Sequence, residues 1–425
     1  MKSSCILFSG ILILVISIIT GCSDVSSRDV VRPEEIKSRR QVIYDQATYA
    51  QLAGQWQEYY KAYPSEYAYA NWMRAADYAE DSNLPELLDK GLEKYPANPV
   101  LLYLKALIRA GKHNDLEARG RLERAAALDP EFIDPWFLLV THYMDARDDE
   151  RLDVALRHIL DHGAITDETY DFNYNIISTL EPDAILITNG DNDTYPGWIL
   201  TRIEKYRPDV AIVNRSLLNT DWYPLYVIEK GLPRYIEQPQ LNGLRSAILD
   251  EVGSGKKVAS CGIFSDTLIQ MIVESATKAG RPVYFAKTVE ITPGIKKYAE
   301  NGRDLGLAIL VTPSSTPYEE QLNAVFKSWL DDFRVGGLQS WRLQNSPASD
   351  GGRSLMVNYA YGIAANLETI KKSSPQLFVP LFDWYIKYVA ELIPQESQGR
   401  VAYKWCQLSD VKKINDWCKK QGIGN

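Results

Sequence analysis

The sequence predicts a three-part multidomain chain: helical repeats, then a small, mainly parallel α/β sheet domain, then a C-terminal helical region. Three observations lead there. Pro64, Pro96 and Pro130 recur at near-equal spacing, each closing a run of helical period. Short continuous apolar runs alternate with helical stretches between residues 184 and 311, the pattern of strands joined by crossover helices. Beyond Thr316 the helical period resumes through residues 318–333, 355–370 and 376–392. The boundaries that follow are an apolar leader over 1–21, a polar stretch over 22–42, repeats over 43–165, the α/β domain over 166–315 and helices over 316–425. At 425 residues the chain exceeds one ordinary core, and its 45% apolar content argues that most of it folds.

In the repeats, residues 56–63, 84–95 and 116–128 read as first helices, and 100–110 and 135–143 as second helices between them. A helix pair returning every ~34 residues is the tetratricopeptide period. The junctions Lys94-Tyr95-Pro96-Ala97-Asn98-Pro99 and Ala127-Leu128-Asp129-Pro130 resemble those of that family, which implies about three helix pairs across 43–163 and a concave face for a protein partner. Eight tyrosines between Tyr44 and Tyr78, with Trp56 and Trp72, stand at helical spacing and read mostly as packing residues.

From Ala184 the period changes. Ala184-Ile185-Leu186-Ile187-Thr188 is a buried strand, followed by the polar loop Asn189-Gly190-Asp191-Asn192-Asp193-Thr194, a helix over about 196–206 and the strand Val210-Ala211-Ile212-Val213. A helix over 265–278, a strand over 282–286, a short helix near 295–299 and a strand over 307–311 continue the alternation, and Val258-Ala259-Ser260 reads as a further strand. Right-handed crossovers place the loops after parallel strands on one edge. That edge would gather Asn189 to Thr194, Asn214-Arg215-Ser216, Lys287-Thr288 and Thr312. Asp191 and Asp193 beside Arg215 and Lys287 suit a divalent cation, sugar hydroxyls or a phosphate, with the two aspartates as metal-ligand candidates. The plainer reading makes Asp193 or Thr194 a helix N-cap with Pro196 in the first turn. It accounts for one aspartate and leaves Asp191.

Composition and spacing exclude several chemistries. All four histidines, His113, His142, His158 and His162, lie in the repeats, so the α/β part has no imidazole for a Ser/His or Cys/His mechanism. His158 and His162 stand one turn apart without the further ligands of a zinc motif. Gly253-Ser254-Gly255-Lys256-Lys257 lacks the first glycine and the hydroxyl residue of a phosphate loop. A formal charge of −8 excludes nucleic acid as the expected partner. After Cys22 only Cys261, Cys406 and Cys418 remain, too few for a disulfide scaffold. Cys406 and Cys418, each preceded by a tryptophan, are the natural pair, with three separate thiols as the alternative.

The N-terminus carries Lys2, an apolar stretch over 6–19 and then Ile19-Thr20-Gly21-Cys22, which resembles a bacterial lipoprotein signal. The resemblance implies cleavage after Gly21 and acylation of Cys22, anchoring the chain to the cell envelope through lipid. A membrane span needs ~20 consecutive apolar residues, and this segment is shorter and interrupted. Ser23 after the cysteine, rather than Asp, leans toward the outer membrane over the inner. Residues 23–40 are polar and aperiodic, a tether.

One more resemblance rests on longer motifs. The stretch from Thr188 through Asn189-Gly190-Asp191-Asn192-Asp193-Thr194 to Tyr195-Pro196, then Arg207-Pro208-Asp209-Val210 and Asn214-Arg215-Ser216 through Trp222-Tyr223, resembles the soluble C-terminal region of large bacterial membrane proteins. These are described as protein O-mannosyltransferase-like and occur in Bacteroidetes and relatives. Arg281-Pro282-Val283-Tyr284-Phe285-Ala286, Asp332-Phe333-Arg334 and Asn358-Tyr359 continue the match in order, over roughly 166–393. The resemblance implies a globular module joined to tetratricopeptide-like helices, without catalysis, which belongs to the multi-pass part of those proteins. The expected function is a lipid-anchored binding or assembly protein, with repeats for an envelope partner and the strand-end crevice for a small or glycan-like ligand. The rival is a metal-assisted enzyme acting on a sugar or phosphosugar, with Asp191 and Asp193 holding the cation or serving as acid and base. A third reading makes the α/β part a platform for the repeats.

Overall fold

Prolines and short polar caps cut the first half of the chain into helices. The computed structural model describes residues 30–423 apart from 41, 110–112, 254–259 and 348–349; Cys22 and the leader lie outside them. Eight helices come first: α1 (Gln46–Ala62), α2 (Glu66–Tyr78), α3 (Leu84–Lys94), α4 (Pro99–Leu107), α5 (Leu116–Leu128), α6 (Asp134–Ala146), α7 (Asp149–Asp161) and α8 (Asp167–Ser178). Asp45, Ser65, Asn98, Asp115 and Asp148 cap five of them, each side chain accepting from the amide three residues on. Each helix up to α7 packs on the next, and α2, α4 and α6 also touch in series, so the helices stack as pairs. Gly91 permits the close approach: a Cβ there would meet the Tyr69 ring at 2.4 Å. Tyr49, Trp56, Tyr69 and Tyr78 are buried while Tyr63 and Tyr67 are exposed, which fits packing for most of the aromatics.

The α/β part contains β1 (Ile185–Thr188), α9 (Tyr195–Trp198) widening into a π turn over Ile199–Ile203, β2 (Ala211–Asn214), α10 (Tyr223–Glu229), α11 (Gln238–Gly253), α12 (Ser260–Lys278), β3 (Val283–Ala286), α13 (Lys296–Asn301), β4 (Arg303–Asp304) and β5 (Ala308–Leu310). The sheet order is β2-β1-β3-β5-β4. It is mixed, which corrects the expectation of a mainly parallel sheet. β1 runs parallel to β2 and β3, but β5 is antiparallel to β3 and β4 is antiparallel to β5. The physical reason is the hairpin at Leu305-Gly306-Leu307, where Leu305 donates to the Ala308 carbonyl at 2.9 Å and Gly306 takes φ +87° against the Trp329 ring. A two-strand turn of this kind reverses direction, whereas parallel strands need a full crossover. Thr312 consequently sits on the opposite edge from the other loops, its hydroxyl accepting the Val283 amide at the start of β3. Val258 and Ala259 fall outside the described residues, and Ser260 opens α12 rather than a strand.

The rest is helical: α14 (Tyr318–Asp331), α15 (Trp341–Gln344), α16 (Gly351–Leu355), α17 (Val357–Ser373), α18 (Pro375–Tyr388), α19 (Gln395–Leu408) and α20 (Lys412–Lys420). Trp329 centres this region, ringed by Phe326, Phe333, Tyr359 and Trp384. Cys406 and Cys418 are joined, tying α19 to α20 with Cα atoms 5.7 Å apart. Among the described residues no helix is long and apolar enough to cross a membrane.

Arg207-Pro208-Asp209 is a clamp. The Arg207 guanidinium donates to the carbonyls of Leu180 (2.9 Å) and Glu181 (3.0 Å) just past α8, and is held by Asp209 at 2.7 Å. Asp209 also accepts the Asp183 amide at 3.1 Å, so the approach to β1 and the approach to β2 are locked together. The Arg207 hydrogen bond, with that amide's, holds the Asp209 carboxyl down from the usual 3.8 to about 2. The folded state thus binds this proton less tightly than the unfolded state. The stability it confers is complete above the unfolded value and is lost as pH falls through about 2. Asp209→Asn should lower the melting temperature at neutral pH and flatten its dependence on acid below the ordinary carboxylate range, read by calorimetry; an unchanged acid limb would remove Asp209 from the clamp.

Candidate functional site

The polar loop between β1 and α9 is built from the inside. Asp193 is 3% exposed, and its two oxygens accept the amides of Asn189 and Gly190, each at 2.7 Å. The Thr288 hydroxyl, from the loop after β3, donates to the same carboxylate. Burial pushes the Asp193 carboxyl up, while those two amides and the hydroxyl pull it down. Thr194 is fully buried and precedes α9 without a capping bond from its side chain. Its hydroxyl meets that of Thr188 at 2.7 Å and accepts from Asn214 at 3.0 Å, stitching the ends of β1 and β2. Asn173 on α8 donates to the Asn192 carbonyl at 2.8 Å, and Ser216 donates to the Asn189 carbonyl at 3.0 Å. The expected N-cap role therefore goes to neither side chain: Asp193 bonds backward into its own loop.

This leaves Asn189, Gly190, Asp191 and Asn192 facing outward. With Lys287, Thr288 and the edge of Asp193 they line one wall of a cleft of about 670 Å³. The opposing walls come from Asp77, Tyr78, Tyr103 and Leu107 of α2 and α4, from Leu355 and Asn358 near α17, and from Arg39 and Arg40 ahead of α1. Loops after β1 and β3 thus meet on one edge, as the crossover rule requires. Arg215 does not join them. It is 6% exposed and turned inward, donating to Asp266 at 3.0 Å and to the Glu290 carbonyl at 2.9 Å. A buried guanidinium demands such a partner, and Asp266 supplies it from α12.

The two aspartates are engaged separately. Both Asp193 oxygens already accept bonds from loop donors, while Asp191, 46% exposed, meets Arg40 at 2.6 Å. Lys287 pairs with Asp304 of β4. Among the described residues no group of three or more His, Cys, Asp or Glu side chains is arranged to hold a metal ion.

Arg40 is the residue that sequence patterning missed, together with its neighbour Arg39. One arm of its guanidinium bonds Asp191 and the other bonds Asp134 at 3.2 Å, and the plane lies 4.0 Å from the Phe137 ring centre. Asp134, 1% exposed, also binds Arg74 and accepts the Ser38 hydroxyl at 2.7 Å. The stretch read as a tether therefore contributes to the cleft. Its only sequence signal was the adjacent Arg39-Arg40 before the first helix. Asp77, also in the wall, has its carboxyl pushed up by burial, against the pull of Arg39 and Arg74. The cleft offers guanidinium, ammonium, carboxylate, carboxamide and phenol groups within one space. That mixture matches a small ligand with several hydroxyls, an anionic group, or both.

Asp193→Ala strands two half-buried amides and a hydroxyl, so it should cost about 2–4 kcal/mol in urea unfolding, whereas Asp191→Asn at the exposed rim should cost about 1 kcal/mol or less. Equal costs at the two positions would contradict this division of the loop into an inner fastener and an outer wall.

No curated protein matches the chain. The segment that carries the loop, the clamp and both strand ends has a match: residues 169–227, running from α8 through β1, α9 and β2 into α10, are similar to the family described as TMEM260-associated domain 2.

Proposed function

We propose that this chain is a lipid-anchored protein of the bacterial cell envelope, acting in binding or assembly. Cys22 carries the lipid, with the outer membrane favoured over the inner. The stacked helix pairs, read as tetratricopeptide-like, hold an envelope protein, and the cleft holds a small or glycan-like ligand. The observation that carries this is the joint construction of the cleft: arm, repeats, strand-end loops and C-terminal helices each give it a polar side chain. A site walled by all parts of the chain responds to ligand and partner together. The match over 169–227 supports kinship with the O-mannosyltransferase-like proteins named above, as a module for recognition beside their chemistry. The metal-assisted alternative loses ground because Asp193 is consumed by its own loop.

Thermal shift of the chain from residue 23 onward against monosaccharides, sugar phosphates and divalent cations tests the cleft. A true ligand at one hundred times its Kd should add about 2.7 kcal/mol of apparent stability, and Asn358→Ala with Asp191→Asn should remove most of that gain. Stabilisation by a divalent cation alone, abolished by Asp191→Asn, would revive the metal reading. For the anchor, Cys22→Ser should move the protein from the detergent phase to the aqueous phase on phase partitioning; retention in detergent would exclude lipidation at that residue.

A further inference from the structure

The stretch ahead of α1 is docked along the helical repeats. Repeat side chains grip its backbone at three points: the Trp56 indole donates to the Glu34 carbonyl at 2.9 Å, the Ile36 amide donates to Asn71 Oδ1 at 2.9 Å, and the Arg39 amide donates to the Tyr78 hydroxyl at 3.3 Å. Asn71 is itself oriented by donating to the Tyr67 carbonyl at 3.0 Å. Ile36 is buried at 4% exposure, and Arg32 stacks over the Tyr67 ring. The segment ends with Ser38 and Arg40 on the buried carboxylate of Asp134. Side chains that hold a backbone every two or three residues, with one apolar pocket and one charge fixing register, are a means by which proteins bind peptide segments. The groove also continues past the arm. A cavity of about 540 Å³ lies beside Glu35 and Ile36, bordered by Glu66, Asp129 and Glu131 and by Arg74, whose charge is taken up by Asp134, so the lining left over is acidic. Charge complementarity selects a basic occupant.

We propose that this groove is a polypeptide-binding surface in which residues 32–40 are the resident occupant in cis, exchanged for an extended basic segment of a partner protein. That segment carries a branched apolar residue with Ser two positions and Arg four positions after it, the pattern of Ile36, Ser38 and Arg40. The inference rests on the reading that the repeats hold a protein partner, and it adds the chemistry of the segment they hold. Exchange withdraws Arg39 and Arg40 from the cleft wall and frees Asp191, so partner and cleft ligand become coupled through one arm. Because the arm is tethered, its effective concentration is on the order of millimolar, and a competing segment is masked until the arm is weakened.

The test uses a fluorescent peptide of residues 30–42 and the full chain in detergent, native or carrying Ile36→Ser with Arg40→Ala. Saturable one-to-one binding, at least tenfold tighter to the weakened-arm chain than to the native chain, is expected. Adding Asn71→Ala to that chain should lose the binding, as should replacing the peptide's Arg39 and Arg40 by alanine. Circular dichroism and melting temperature verify that each variant is folded. Absence of saturable binding to a folded weakened-arm chain, or binding indifferent to Asn71→Ala, overturns the proposal. A native chain that sediments as a dimer and is dissociated by the peptide also overturns it, since the exchanged occupant is then a second copy. A natural partner that binds native and Asn71→Ala chains equally leaves the repeat reading standing and sinks this one.

Discussion

A buried carboxylate organises the junction of the whole molecule. Asp134 opens α6 with almost no exposure, and a charge so placed is tolerable only when paired and hydrogen-bonded. Arg74 meets it from α2, Ser38 and Arg40 from the arm, and Arg40 then reaches on to Asp191 in the strand-end loop. One desolvated group thereby fixes the relative placement of repeat, arm and sheet edge. The Tyr195 hydroxyl reinforces the same junction by donating to the Phe137 carbonyl, one turn along α6 from Asp134. The cleft lies where these constraints meet, and this is why its walls come from distant parts of the chain.

The segment similar to a known domain is also the segment with the densest internal fastening. Thr194 and Asn214 join β1 to β2, Asp193 closes the loop between them, and Arg207 with Asp209 joins the other ends of the same strands to α8. The motif Gly-Asp-Asn-Asp-Thr thus divides by burial. Its last two residues build the loop and its first ones face the cleft. A motif of this sort specifies geometry first, and chemistry only through the few side chains left over.

Helices α3 to α6, α12, α14, α17 and α18 were legible because periodic runs encode themselves locally, whereas α8, α10, α11, α19 and α20 were not read; the strands β1, β2, β3 and β5 follow from period alone. Strand direction was not legible for β5, since the hairpin depends on two-residue β4, too short to register as an apolar run. Arg215 was misplaced for a different reason: its partner Asp266 lies on α12, fifty-one residues away, and no local pattern announces a buried ion pair of that separation. Arg40 eluded the reading because polar, aperiodic text describes a docked arm and a free tether equally well. That Asn189, Gly190, Asp191, Asn192 and Lys287 come together along one cleft was legible because loops after parallel strands share an edge by topology, whatever their side chains do.

The partners at the arm's end lie far down the chain: Arg40 is separated from Asp134 by 94 residues and from Asp191 by 151. Contacts of such span form late, after the local helix pairs have already closed. During synthesis the arm can settle on α1 and α2 soon after they close, yet its Arg40 end has nothing to dock on until α6 and the strand-end loop have followed. The arm is therefore seated in two stages, along the repeats first and over the strand-end loop last, so its cleft-facing end is the last part to close.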